Sequence, residues 1–204
     1  MQNSEPPRTE KKIAAIILAA GASTRLGEPK QLIEIGGLPL VRRAAMAAIE
    51  AGASPIVVVL GADNHQILPA LEGLPDVRIA LNSRWETGLA SSLAAGLSAL
   101  ADHPEIDGAL IVLADQPFVD AHALKTLADA FGTDRIVASS YSNIVGVPAV
   151  IGREFFGELS QLTGDKGAGP WLRTRTGGVM SIPLLASPLD IDTPQDVAVM
   201  RQLD

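Results

Sequence analysis

The chain has 204 residues, with 16 Lys and Arg against 23 Asp and Glu, a formal net charge of −7 and no cysteine. A chain of this length buries roughly 70% of its unfolded surface, enough for one cored domain without disulfides, and the missing thiols exclude a zinc-thiolate site or a cysteine nucleophile. The acidic balance argues against non-specific nucleic-acid binding, and the longest apolar run, Ile13 to Ala20, is too short to span a bilayer.

In chain order, residues 1–12 are polar and proline-bearing, read as a disordered tail without the apolar stretch of a signal peptide, so the expected location is cytoplasmic. Residues 13–204 are expected to form a single domain. Short Val/Ile/Leu-rich runs, apolar on both faces, predict buried strands at Ile13–Leu18, Ile56–Leu60, Val77–Leu81, Ala109–Leu113, Ile136–Ala138 and Val147–Ile151. Between them, helical periodicity places Leu40, Val41, Ala44, Ala45, Ala48 and Ile49 on one face, with Gly52 as the stop. A second helix carries Leu89, Leu93, Leu97 and Leu100, and a third Ala123, Leu124, Leu127 and Ala128. Thr193-Pro194-Gln195-Asp196 reads as a capping box opening a last helix. Such alternation predicts a doubly wound, mostly parallel α/β sheet, whose ligands bind outside the carboxyl ends of the strands.

The net charge is local. Acidic residues cluster at 102–134, where Lys125 faces seven carboxylates, whereas the stretch around the first strand and its loop, residues 13–43, is slightly basic. That loop, Leu18-Ala19-Ala20-Gly21-Ala22-Ser23-Thr24-Arg25-Leu26-Gly27-Glu28-Pro29-Lys30, has small residues that let the backbone approach a ligand. Its amides can form an anion-binding nest, and Arg25 and Lys30 supply cations for phosphate oxygens. Neither a Walker A pattern nor G-x-G-x-x-G is present. Arg, Gly and Lys directly after the first strand nevertheless favour a phosphate-bearing ligand over an ordinary turn.

Leu18-Ala19-Ala20-Gly21-x-Ser23-x-Arg25-x-Gly27-x-x-Lys30 resembles the signature of the nucleotidyltransferase superfamily. With Gln31-Leu32 and the segments below, the chain from Ile13 to about Leu203 is most similar to the molybdenum cofactor cytidylyltransferase family. The resemblance implies a three-layer, Rossmann-like fold of the GT-A-like nucleotidyltransferase type. It assigns catalytic roles to Arg25, Lys30 and Asp115, and nucleotide binding to Leu18, Ala19, Ala20, Gly21, Arg25 and Lys30.

Asp115-Gln116-Pro117 ends a buried strand. The residues alone leave open a turn-initiating Asp or a cation ligand; the resemblance implies the Mg²⁺-binding aspartate. It places a second metal ligand in Asp190-Ile191-Asp192, with Asp192 as first choice and Asp190 as fallback. Asn82, Gly88, Ser91 and Ser92 resemble the base-reading segment, although a Ser-containing first helical turn explains the serines equally well. Gly146-Val147-Pro148 and Gly164-Asp165-Lys166-Gly167-Ala168 resemble the acceptor side, through Pro148 and Lys166. There the family often continues with an arginine, where this chain has Gly169. His65, His103 and His122 read as surface residues, and Trp85 and Trp171 as packing.

The resemblance therefore implies transfer of CMP from CTP to the phosphate of a molybdopterin-type acceptor with Mg²⁺, the product passing to a molybdenum hydroxylase. No nucleic-acid or membrane partner is expected. Its rivals are a guanylyltransferase using GTP, a sugar-phosphate nucleotidyltransferase and a non-catalytic cofactor carrier. Ala20 favours CTP, because the guanylyl branch resembles L-A-G-G, and the Arg25, Lys30, Asp115 and Asp192 set argues against a carrier.

Overall fold

The structure, a computed structural model, describes residues 11–175, 177–184, 191 and 193–203. The elements run β1 (Ile13–Ala19), β2 (Glu34–Ile35), β3 (Leu38–Pro39), α1 (Leu40–Glu50), β4 (Ile56–Leu60), α2 (Asn64–Ile67), β5 (Val77–Leu81) and α3 (Leu89–Ser98). They continue β6 (Gly108–Leu113), α4 (Ala121–Ala130), β7 (Ile136–Tyr141), β8 (Ile144–Gly152), α5 (Phe156–Leu159), α6 (Ala168–Arg173), β9 (Met180–Pro183) and α7 (Pro194–Leu203).

The apolar run of β1 is buried throughout because both sheet faces are covered. Ile13, Ala15, Ile17 and Ala19 pack with Val41, Ala44, Ala45 and Ala48 of α1 and Leu124 and Leu127 of α4. Ala14, Ile16 and Leu18 pack on the other face with Leu93 and Leu97 of α3, Leu159 of α5 and Trp171 and Leu172 of α6. Gly96 lets α3 sit close: a Cβ there would lie 2.4 Å from Ile16 Cγ2. The result is the expected three-layer α/β/α architecture. A third cluster joins Ile33, Ile35 and Leu40 to Ile191, Val197 and Met200, seating α7 near the β2–β3 hairpin. Thr193 and Asp196 form the reciprocal capping box: the Thr193 amide donates to Asp196 Oδ2 at 2.7 Å, and the Asp196 amide to Thr193 Oγ1 at 3.3 Å.

The seven-stranded sheet has the order β5-β4-β1-β6-β8-β7-β9. Strands β5, β4, β1 and β6 are parallel, and β8 runs antiparallel to both β6 and β7. The two strands expected at 136–138 and 147–151 are thus a direct hairpin, longer than their apolar cores. Ser142 and Asn143 turn it at φ of +48° and +67°, the positive-φ pair of a type I′ turn. Pairing jumps from Ala138–Ala149 to Ser139–Gly146, leaving Val147 and Pro148 in a bulge where proline's missing N–H costs no ladder bond. Among the described residues no helix is long and apolar enough to cross a membrane.

Strand order reverses between β1 and β6: from β1 the sheet grows to β4 and β5 on one side, and to β6 and β8 on the other. Leu18 is in register with Leu113, so the loops after these strands leave the sheet together. Such a switch point is where open α/β sheets bind ligands.

Candidate active site

The loop after β1 is held from within. Gln31 is 2% exposed. Its Nε2 donates to the carbonyls of Ala19 at 2.9 Å and Gly21 at 2.8 Å. Ser23, at φ +51°, accepts the Lys30 amide on its Oγ at 2.9 Å. These bonds fold the loop back and bring Lys30 over the end of β6, where its Nζ pairs with Asp115 Oδ2. The two side chains are 18% and 16% exposed, so the pair is largely withdrawn from water. Asp115 Oδ1 is buried and has no hydrogen-bond partner among the described residues. A buried, unsatisfied carboxylate oxygen is costly unless a ligand completes it.

The donor chemistry there suits a hard cation: one carboxylate oxygen without a hydrogen-bond partner among the described residues, beside a cationic lysine that can take up phosphate charge. Among the described residues no group of three His, Asp or Glu forms a closed protein cage. Asp192 and Asp190 lie outside the described residues. Ile191 between them donates its amide to the Asp115 carbonyl at 3.1 Å.

A cleft of about 370 Å³ opens at this point. It brings together Leu18, Ala19, Ala20, Gly21, Lys30, Gly88, Ser92 and Asp115 from the sequence reading. It also includes residues that reading missed or gave other roles: Ala22, Gln31, Trp85, Glu86, Leu89 and Asp165. Trp85 therefore packs against the core and also faces the cleft. Position after β5 and inside the Gly88 segment was the available signal for Trp85 and Glu86. Asp165 stands in the Gly164–Ala168 segment of the acceptor side, where Lys166 was the expected contact.

The remaining candidates sit elsewhere. Arg25 is exposed on the loop and does not line the cleft. Asn82 is buried behind it; its Nδ2 donates to Ser91 Oγ at 2.8 Å and Ser92 Oγ at 3.0 Å, and its Oδ1 accepts the Arg84 amide at 2.9 Å. Its side chain is spent on shaping the first turn of α3. Ser91 turns its hydroxyl to the Gly88 carbonyl at 2.8 Å, so of the two serines Ser92 faces the cleft. Pro148 is buried in the β8 bulge and Lys166 is exposed outside the cleft, whereas its neighbour Asp165 lines it. His103 is half-buried at the surface, placed between Arg78 and Glu105 Oε1. The hydrogen bond from His103 is the main cause holding the Glu105 carboxyl below its ordinary range.

Gly88 joins two of these walls. It sits at φ +106°, and a Cβ there would lie 2.4 Å from the Gly164 carbonyl carbon and 2.7 Å from Asp165 Oδ1. The Gly164 carbonyl accepts the Ala90 amide at 3.0 Å. Segment 164–165 thus docks on the N-terminus of α3, so the base-side and acceptor-side segments of the sequence reading form one continuous wall.

Residues 15–179 match the family described as MobA-like NTP transferase domain. The chain is 32% identical over 203 residues to nicotine blue oxidoreductase of Paenarthrobacter nicotinovorans, covering 94% of each protein. It is similar in structure to Rv0371c from Mycobacterium tuberculosis H37Rv, with 29% identity and a TM-score of 0.82 over 95% of this chain and 100% of that one. A structure of Rv0371c in complex with manganese aligns with 28% identity and a TM-score of 0.77, over 94% of this chain and 99% of that one.

Proposed function

The chain belongs to the MobA-like NTP transferase domain family, a nucleotidyltransferase family, and on that premise we propose that it transfers CMP from CTP to the phosphate of a molybdopterin-type acceptor, releasing pyrophosphate. The observation that carries this reading is Asp115 at the β1/β6 switch point, one oxygen paired with Lys30 and the other buried without a partner among the described residues. Mg²⁺ is the cofactor of this reading, held by Asp115 with Asp192, or Asp190 in its place. When bound, it neutralises triphosphate charge and draws electron density from the α-phosphorus.

The chain's own residues do the positioning. The backbone of Leu18–Ala22 receives the nucleotide, and Gly88 and Ser92 border the base. Lys30 is released from Asp115 toward phosphate oxygens as the triphosphate enters, which moves a cation onto the charge that grows during transfer. Arg25 approaches from the exposed rim. The acceptor phosphate is already an anionic nucleophile, so alignment and charge neutralisation replace a general base. Asp165 forms the acceptor wall, with Lys166 and Pro148 in supporting positions, and a molybdenum hydroxylase receives the product.

Pyrophosphate release measured across CTP, GTP, ATP and UTP, with and without molybdopterin, tests this. CTP-dependent release that requires molybdopterin is the expected result. Release with GTP instead transfers the reading to the guanylyl rival. The likeness to nicotine blue oxidoreductase over 94% of both chains favours one second reading, oxidation or reduction of a related pigment in the same cleft. A change in the absorbance of nicotine blue that requires the protein and an added electron donor, with no pyrophosphate release from any triphosphate, would select it.

A further inference from the structure

Three consecutive peptide units in the loop after β1 have their carbonyls occupied by protein donors. Gln31 Nε2 takes those of Ala19 and Gly21, at 2.9 and 2.8 Å. The Ala62 amide takes the carbonyl of Ala20 at 3.1 Å. The peptide bonds are trans, since the cis bonds are at Pro55 and Pro148. In a trans peptide the N–H points opposite to the carbonyl of the same unit. Holding the three carbonyls therefore sets the directions of the amides of Ala20, Gly21 and Ala22. Those amides make no hydrogen bond among the described residues, and all three residues line the cleft.

We infer that Gln31 is a positioning residue for nucleotide binding: it holds two of these peptide planes so that the amides of Ala20, Gly21 and Ala22 form a preorganised donor array for acceptor oxygens of the bound nucleotide. Glutamine suits the position because one NH₂ group has two donors, matching two carbonyls two residues apart. Its side chain is fully withdrawn from water, and its Oε1 lies 3.4 Å from the Ser23 hydroxyl that donates to it. Ser23 in turn accepts the Lys30 amide, so the same residue links the donor array to the lysine. An array fixed before the ligand arrives costs no reorganisation on binding. This inference rests on the cleft being a nucleotide site.

The experiment is titration of the full chain with CTP and Mg²⁺, and in parallel with inorganic triphosphate and Mg²⁺. It compares the wild type with Gln31→Met, which keeps the length and removes the donors, and Gln31→Glu, which keeps the shape and opposes two carbonyls with a carboxylate. At pH 8 both variants should bind CTP at least about tenfold more weakly. A buried carboxylate facing carbonyls titrates above its ordinary range, so Gln31→Glu should regain affinity at pH 6 as it becomes a donor. Lys30 and Asp115 are common to all three proteins, so the ratio to wild type at each pH isolates position 31. The same ratios for inorganic triphosphate place the array on the phosphates; loss confined to CTP places it on the base or ribose. Variants that bind within twofold of a CTP-binding wild type overturn the positioning role alone. Weakening in Gln31→Glu without recovery at pH 6 overturns hydrogen bonding as its cause. A wild type that binds no nucleotide overturns the site reading and this inference with it.

Discussion

The two ends of the sheet differ in how their polar groups are satisfied. At the amino end the clefts are larger, about 1000 and 560 Å³, yet several of the charges around them pair within the protein. Arg135 grips Glu154 through two bonds, at 2.6 and 2.9 Å, and Arg153 donates to the His103 carbonyl at 2.7 Å. Asp107 accepts the Lys12 amide at 3.0 Å, and Arg78, His103 and Glu105 form a chain. At the carboxyl end the cleft is only about 370 Å³, but it holds a buried carboxylate oxygen and three backbone amides with no partner among the described residues. Unsatisfied groups at a switch point, rather than volume, mark the site. A self-satisfied surface has little to offer a ligand.

That contrast breaks most sharply at Asp115. Asp115→Ala should lower turnover by a factor of about 100 to 1000 while the protein stays folded, and near wild-type pyrophosphate release from the folded variant would refute its role. Glu105→Gln at the amino end is the matched control, with unchanged turnover expected. Next comes Lys30→Ala, for which the triphosphate concentration at half-saturation should rise about tenfold or more, since a charge-assisted contact is lost. An unchanged CTP titration contradicts this.

Gly88→Ala tests the shared wall. Its positive φ and the 2.4 Å approach to Gly164 force a backbone shift, with an expected cost of about 1–3 kcal/mol and reduced nucleotide affinity. A melting temperature and affinity equal to wild type would show that segment 164–165 does not need this contact. CTP with Mg²⁺ should raise the melting temperature by more than GTP with Mg²⁺, through preferential binding to the native state. Equal or reversed shifts remove the base assignment.

The smallest effect belongs to the amino end. The hydrogen bond from Arg135 lowers the Glu154 carboxyl below its ordinary range, and the same bond raises Arg135. A depressed carboxylate contributes stability above its unfolded value and loses it as pH falls through the folded value. Removing it in Glu154→Gln should therefore flatten the acid limb of the stability curve. Both groups are about a third or more exposed and screened by solvent, so the change at neutral pH should be near 0.5 kcal/mol or less, measured by urea unfolding. A cost of several kcal/mol would show that the amino end carries more than surface pairing.

The sheet's parallel half was legible because buried strands are apolar on both faces, as in Ile56–Leu60. Helix α1 was legible from its stripe of Leu40, Val41, Ala44, Ala45 and Ala48, and the start of α7 from Thr193 and Asp196. The β7–β8 hairpin was hidden, since Ser142-Asn143 lacks the glycine that usually announces such a turn and the ladder is bulged at Pro148. In the site, Asp115 and Lys30 stood out because each ends or follows a strand. For Asn82 the resemblance to a base-reading segment and the place after β5 are visible in sequence, while its bonds to Ser91 and Ser92 are not.

By itself the amino-acid sequence determined the α/β class, the small-residue loop with its two cations and the strand-end aspartate. Each follows from periodicity or residue type over a few neighbouring positions. Only the tertiary structure decided that Lys30 meets Asp115 from 85 residues away, that Gln31 bonds the carbonyls of Ala19 and Gly21 and that segment 164–165 rests on Gly88. Such meetings depend on strand order and register, which place distant segments side by side and leave no periodic trace in either segment alone.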